Sequence, residues 1–521
     1  MITLADPLPD DLETAHQLIR ELLKTLAQQL HLNEKLQHQL EQLLRQRYGR
    51  KTEQIDPAQL LLFAQEILAQ AEPTPAPTPE PASTPTKDAP KKNGHGRKPL
   101  PKSLPRETVL HDVPPERRTC PDCGAERTCI GHEVREQLEY KPASLVVIEH
   151  VRPKYACEAC EANVVIADKL PEPIDKGLPG PGLLAYVAVS KYADHLPLYR
   201  LEGIFKRFGV ELSRSTMCDW MSTIADLLKP IVKLMLSKIL NSKVVQNDDT
   251  TVPVQDHDGK GIKTGRLWVS IGDHDHHYVV YTYTPDRSAA GPEKIFKNFK
   301  GYLQADAYSG YDGLYKSGNI VEVGCMMHAR RKFYDARTSD PQRSHQALAW
   351  ISLLYDVESD AKERESTNYE AFVALRHQLR AERSQPIFDK FHAWLEAEAP
   401  QVLPKSPIGE AIRYAQNHWE ALKRPLEAGF LELDNGACER AFKPVAIGRK
   451  NWLFAGSDAG GKTAATLMSL CTTCKNLGVD AFAYLRDVLD RISTHPARRI
   501  RELLPDQWKR ERVAAEAKPV E

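Results

Sequence analysis

The chain carries no net charge: its 70 Lys and Arg balance 70 Asp and Glu over 521 residues. That balance excludes attraction of the whole molecule to a polyanion, so any nucleic-acid affinity must come from local patches. No apolar run reaches the roughly 18 residues a membrane-spanning helix needs. The opening Met1-Ile2-Thr3-Leu4-Ala5-Asp6-Pro7 lacks the charged-then-apolar pattern of an export signal, and a cytoplasmic location is expected. Ten cysteines in such a chain point to reduced thiols or metal ligands rather than disulfides.

The length exceeds what one core serves, and an apolar content of 41% supplies several. A multidomain α+β chain is expected. Residues 11–48 predict a long helix, with Leu23, Leu26, Leu30, Leu40 and Leu44 on one heptad seam interrupted by Asn33 and Gln37, so a coiled-coil arm over 1–71 is preferred to a helix packed on its own protein. The Pro-rich tract beginning Glu72-Pro73-Thr74-Pro75 opens an extended linker, 72–106. It ends in one basic patch (Lys91, Lys92, Arg97, Lys98, Lys102, Arg106). A second patch (Arg498, Arg499, Arg501, Lys509, Arg510, Arg512) lies in a C-terminal segment, 486–521, where a solvated charged face explains it as well as DNA contact does.

Within 107–172, Cys120-Pro121-Asp122-Cys123 and Cys157-Glu158-Ala159-Cys160 flank an apolar stretch, Leu145 to Val151, that predicts a strand. Two such turns supply the four thiolates of a tetrahedral Zn²⁺ site, which favours a structural zinc ribbon over a redox pair. Cys129 is left as an ordinary thiol. In 180–240, a helix from Leu198 stopped by Gly209, a Ser213 cap and a second helix with Met217, Trp220 and Met221 inward form a helix-turn-helix candidate. Arg214 is its candidate DNA contact, and a plain helical hairpin is the equal alternative.

From Lys243 the period becomes strand-like. Lys243 to Asp248, Arg266 to Gly272 and Tyr278 to Thr284 predict a meander, followed by a helix (Pro292 to Phe299), a strand (Tyr302 to Asp306), a second helix and a strand (Ile320 to Val323). That order is the ribonuclease H-like arrangement, in which the first and fourth strands lie side by side. This core would occupy 241–340 and 431–485, with a helical insertion over 341–430. Asp248 and Asp306 then meet at one sheet edge, with Glu439 on the helix that returns to it. Singly, each acid reads as a solvated cap. Together they suit in-line phosphodiester chemistry, where two divalent ions about 4 Å apart activate the nucleophile and stabilise the leaving oxygen. Mg²⁺, or Mn²⁺, prefers such carboxylates; Asp248 would bridge two ions, with Asp306 and Glu439 each holding one side. Asp249 would face away and is not assigned to metal.

These motifs resemble the insertion sequence 66 family of bacterial DDE transposases. The resemblance is carried by Asn247-Asp248-Asp249-Thr250, Gly265-Arg266-Leu267-Trp268-Val269, Tyr302 to Tyr311, Cys325 to Phe333 and Ile447 to Phe454. It extends to Tyr48 to Glu53, Gly96 to Pro101, the paired cysteines and Gly478 to Leu485. It implies a DDE triad at Asp248, Asp306 and Glu439, DNA cleavage and strand transfer at element ends and into target DNA, and two smaller accessory proteins from the same element; with the coiled-coil arm, a nucleoid-associated homo-oligomer is expected. The chain departs from the family pattern at Thr251, Ala307, Gly436 and Lys443. Cys325-x-x-His328 resembles a motif near the active site of related transposases; by itself it cannot complete a zinc site, and a packing pair at a helix start explains it equally well. Arg330, Arg331, Arg449 and Lys450 are stronger candidates for phosphate contacts.

Two rival readings remain. Gly456-Ser457-Asp458-Ala459-Gly460-Gly461-Lys462-Thr463 satisfies the P-loop pattern, but no later strand ends in an acid for Mg²⁺; a turn gripping DNA through Lys462, or shaping the site's rim, is preferred. A non-catalytic DNA-binding regulator would need none of the three acids.

Overall fold

The computed structural model describes residues 171–175, 177–256 and 261–516, with scattered positions within 12–36 and 145–166. The chain divides into two compact units, residues 73–166 and the remainder. The smaller unit shows an antiparallel pair, Lys154–Tyr155 with Val165–Ile166, which flanks Cys157 and Cys160 in sequence. Leu145, Val147 and Ile148, expected in a strand, are not in one. Cys120, Cys123, Cys129, Cys157, Cys160 and the linker patch lie outside the described residues. In the arm, the described positions from Leu12 to Leu36 are helical. Leu23 and Leu26 of the expected seam are exposed, and Leu30, Leu40 and Leu44 lie outside the described set.

Within the larger unit, α1 (Pro181–Tyr192), α2 (Leu198–Arg207) and α3 (Arg214–Ile239) come first. Gly209 takes the left-handed conformation (φ 77°) after α2, and the Ser213 hydroxyl accepts from the Thr216 amide at 3.2 Å to start α3; both are standard helix punctuation. Met217, Trp220 and Met221 are buried as expected. Yet α3 runs 26 residues, and its buried side chains belong to the same core as the sheet. The pair is therefore also a wall of that core.

The sheet consists of β1 (Val244–Asp256), β2 (Gly261–Ile271), β3 (Val279–Thr284), β4 (Gly301–Gln304) and β5 (Ile320–Val323), with α4 (Ala290–Phe296) and α5 (Asp312–Tyr315) in its crossovers. Its order is β3-β2-β1-β4-β5. The first three strands are antiparallel and the last two join parallel, so the first and fourth strands are neighbours. β1 and β2 are longer than their apolar runs suggested, because buried Val252 and Val254 sustain the alternation past Asp248. Strand β3 is an edge whose amides are met by hydroxyls of α13 (Asp458–Asn476): Val279 donates to Thr473 Oγ1 at 3.0 Å and Tyr281 to Ser469 Oγ at 2.8 Å. A covered edge cannot recruit another strand.

Helices α6 (Met326–Ala336), α7 (Pro341–Arg364), α9 (Gln385–Glu398), α10 (Pro407–Asn417) and α11 (Trp419–Lys423) surround a second core centred on Phe388, Phe391 and Trp419, while α8 (Tyr369–Leu379) packs through Leu379 on Val357 and Ala361 of α7. α12 (Gly436–Trp452) then returns to the sheet, followed by α13, α14 (Ala481–Arg491) and α15 (Pro505–Glu516). The basic C-terminal segment is a packed element rather than a loose tail: Leu503, Leu504 and Trp508 join the main core, and Arg499 and Arg512 pair with Glu502 (2.7 Å) and Asp487 (2.8 Å).

Between α12 and α13 the backbone makes a tight turn. Leu453 has φ 65° and ψ −54°, and Phe454 N donates to Trp452 O at 2.8 Å. A non-glycine residue in this γ-turn costs about 1–3 kcal/mol. Flanking bonds hold it there: Leu453 N to Arg449 O (3.1 Å), Ala455 N to Pro253 O (2.9 Å) and Gln255 N to Ala455 O (2.8 Å). Among the described residues, no helix is long and apolar enough to cross a membrane.

Candidate active site

The last paired residues of β1 and β4 are Gln246 and Gln304. Asp248 and Asp306 each follow two residues later, Asp248 still within β1 and Asp306 just past the end of β4. The glutamine pair is latched to the segment preceding α12. Gln246 Nε2 donates to Gln304 Oε1 (3.1 Å) and Asp434 O (3.3 Å), and Gln304 Nε2 donates to Glu432 O (2.7 Å). Cys325 Sγ donates to Asn435 Oδ1 (3.0 Å), and Asn435 N returns a bond to the sulfur (3.4 Å). The latch seats the first turn of α12, which carries Glu439. Sequence reasoning missed Gln246, Gln304 and Asn435. The signal was there: each glutamine is a polar residue in an apolar run, two positions before an acid.

Electrostatics couple the acids. Burial pushes the Asp248 carboxyl up to about 7, with further push from Asp306, Asp249 and Glu439, against the Asp249 amide that donates to it. Arg287 Nη2 lies 3.2 Å from Asp306 Oδ2, and Arg331 Nη2 lies 3.3 Å from Glu439 Oε1. Asp306 Oδ1 is buried with no hydrogen-bond partner, as is His328 Nδ1. Burial holds the His328 imidazole below its usual pKa, favouring the neutral ring. Burial likewise pushes the Cys325 thiol up to about 12, so Cys325 serves the latch as a thiol. Asp249, expected to face away from the other acids, shares one cation with Asp306: Arg287 Nη2 reaches both carboxylates. The Asp249 side chain is 1% exposed and pairs with Arg266 and Arg287, each at 2.9 Å.

The acids suit a hard divalent cation in chemistry, and the unpartnered Asp306 oxygen is an open acceptor for one. As the side chains stand, no three His, Cys, Asp or Glu among the described residues gather closely enough to hold an ion; guanidiniums neutralise two of the three acids instead.

Among the candidate DNA contacts, Lys450 and Lys462 are exposed. Arg331 is exposed beside Glu439, while Arg330 is half-buried with its guanidinium 5.9 Å from the centre of the Tyr334 ring. Arg214 faces Glu202 at 3.3 Å on the surface. Arg449 differs from expectation: its Nη1 donates to the Thr251 carbonyl and hydroxyl, tying α12 to β1, so this guanidinium is committed to the fold. The P-loop pattern also has a structural origin. Helix α13 begins at Asp458, the Ser457 hydroxyl and carbonyl accept from Gly460 N and Gly461 N, and a Cβ on Gly461 would meet the Tyr283 ring at 2.6 Å. Gly461 serves close packing, and the amides of Gly460 and Gly461 are both bonded to Ser457.

Comparison with known proteins assigns a family. The family model "Transposase IS66 family" matches residues 176–463, "zinc-finger binding domain of transposase IS66" 117–161, "Transposase C of IS166 homeodomain" 35–109 and "IS66 C-terminal element" 469–505. The Sinorhizobium fredii protein y4hP is 34% identical over 506 residues, covering 92% of this chain and 89% of its own. Protein y4qI of the same organism is 37% identical over 442 residues, covering 81% and 79%. The chain belongs to the IS66 transposase family.

Proposed function

We propose that the protein cleaves DNA at the ends of a mobile element and joins those ends to a target, with Asp248, Asp306 and Glu439 as the catalytic acids of a ribonuclease H-like core. The observation that supports this reading is the pairing of Gln246 with Gln304, two residues before Asp248 and Asp306, and the bonds from both glutamines to the segment that leads into the helix of Glu439. Asp248, Asp306 and Glu439 would hold Mg²⁺ or Mn²⁺, which when bound supplies activation of the attacking oxygen and stabilisation of the leaving one. The chain's own parts prepare for this. The glutamine pair and Asn435 fix the frame, Arg287 orients Asp306, and Arg331, Lys450 and Lys462 offer cations to phosphates.

Strand cleavage and joining on DNA carrying the element's own ends, with Mg²⁺, tests the reading. Asp248→Asn and Asp306→Asn are each expected to lower both steps by about a thousandfold or more while DNA affinity stays near wild type. A near wild-type rate in either variant would refute the triad.

The four cysteines at 120, 123, 157 and 160 all fall inside the zinc-finger match. They are proposed to bind one structural Zn²⁺. Elemental analysis of the purified chain should find one zinc per protein, and a protein without zinc would remove that site. The leucine-rich arm is proposed to hold copies of the chain together.

A further inference from the structure

The strained turn between α12 and α13 presents apolar side chains to solvent where burial would be the ordinary outcome. Leu453 is 63% exposed and Phe454 40%, and Ile447 on the last turns of α12 is 51% exposed. Strain at Leu453 is retained by backbone bonds on both sides, so the exposed tip is held out rigidly instead of folding back. Around it the charge is of one sign. Arg440, Lys443, Ile447 and Lys450 are spaced three or four residues apart, which sets them along one face of α12, and all four are exposed. Phe454 lies beyond the helix, past the turn. The one acid in α12 is Glu439. A row of cations therefore leads from the candidate active site to an apolar tip, complementary to a polyanion that also offers flat apolar faces. Nucleic acid is such a ligand.

We propose that Leu453 and Phe454 form a wedge that stacks against bases of the bound DNA end, with Lys443 and Lys450 tracking its backbone between the wedge and the scissile phosphate. The proposal rests on the reading of Asp248, Asp306 and Glu439 as the cleavage site. Fourteen residues of rise, from Glu439 to Leu453, span about 21 Å, or about six base steps. The wedge thus contacts bases about half a helical turn from the cut and unstacks them there.

The test uses the full chain carrying Asp248→Asn and a duplex of the element's own end with 2-aminopurine placed singly along each strand. Fluorescence should rise on binding at positions about six steps from the cut and stay low elsewhere. Leu453→Gly combined with Phe454→Ala should abolish that rise and weaken binding about tenfold. Glycine accepts the positive φ at 453 without strain, so the variant keeps the turn, and an unchanged melting temperature checks this. Lys450→Ala should instead lower affinity on any duplex and reduce the salt dependence by about one counterion. Unchanged fluorescence and affinity in the tip variant overturn the wedge, as does a changed oligomeric mass with DNA binding intact, which would make the tip a protein contact. Cleavage by the Asp248→Asn protein would sink the catalytic reading by itself, leaving the fluorescence result to be judged separately.

Discussion

The protein buries charge in two places and treats it in opposite ways. In the helical insertion, Arg380 is 1% exposed, yet it pairs with both oxygens of Glu358 (2.7 and 2.8 Å) and donates to Pro425 O and Ala428 O. Neighbouring Arg376 reaches both Glu432 oxygens at 3.0 Å and leaves only Nη2 without a partner. At the sheet edge, Asp306 Oδ1, His328 Nδ1 and Gln246 Oε1 are all buried without partners, and burial with the neighbouring acids raises the Asp248 carboxyl. Satisfied buried charge is what a fold uses to specify its packing. Unsatisfied buried polar atoms beside a raised carboxyl are what a site keeps for a ligand. The same residue types thus mark structure in one region and chemistry in the other.

The contrast makes opposite predictions about stability. Arg380→Ala removes one half of a desolvated pair and strands Glu358, so it should cost about 3–5 kcal/mol in denaturant titration of the full chain. A loss under about 1 kcal/mol would mean the pair is effectively solvated and would dissolve the comparison. Asp248→Asn should do the reverse in metal-free protein. The Asp248 carboxyl is raised to about 7, above the unfolded value near 3.9, so the native state holds the proton more tightly and its stability falls as pH rises from about 4 to about 7. Asparagine removes that cost, and the variant should be more stable than wild type by about 1–3 kcal/mol at pH 8 and gain little at pH 4. Equal stability of the two proteins at both pH values would show that the acids do not strain the folded state.

Much of this arrangement was legible in the residues themselves. The order of the strand-like runs, with Lys243 to Asp248 first and Tyr302 to Asp306 fourth, foretold that these two strands are neighbours, and that neighbourhood is found, with the fourth strand ending at Gln304. Caps were readable too: Gly209 and Ser213 punctuate α2 and α3 where their chemistry says they should. What the chain order hid was long-range pairing. The partners of Arg449 (Thr251), Arg287 (Asp249 and Asp306) and Asn435 (Cys325) are 198, 38, 19 and 110 residues away, and no local period reports them. The extension of β1 was hidden because Pro253 interrupts a run whose other members, Val252 and Val254, are buried. Arg449 teaches the same lesson in reverse: a cation beside a conspicuous Lys450 looked like a phosphate contact, and it holds two elements of the fold together.

The smallest expected effect is none at all, and it concerns the Gly456 to Thr463 stretch. A phosphate cradle needs several consecutive amides pointing into an open loop, with the lysine at the following helix start. Here the helix has begun by Asp458, Ser457 caps it, and Asp458 is held by Lys263 (2.9 Å) and the Tyr283 hydroxyl (2.6 Å). Gly461 is small because the Tyr283 ring lies against it, which accounts for a glycine there without any ligand. Calorimetric titration of wild type and Lys462→Ala with Mg-ATP should therefore give the same flat trace. The variant can still bind DNA more weakly, since Lys462 is exposed on the first turns of α13 and an ammonium there can pair with a phosphate. Micromolar ATP binding that disappears in Lys462→Ala would show that the helix start can open into a cradle, and would return nucleotide chemistry to this loop.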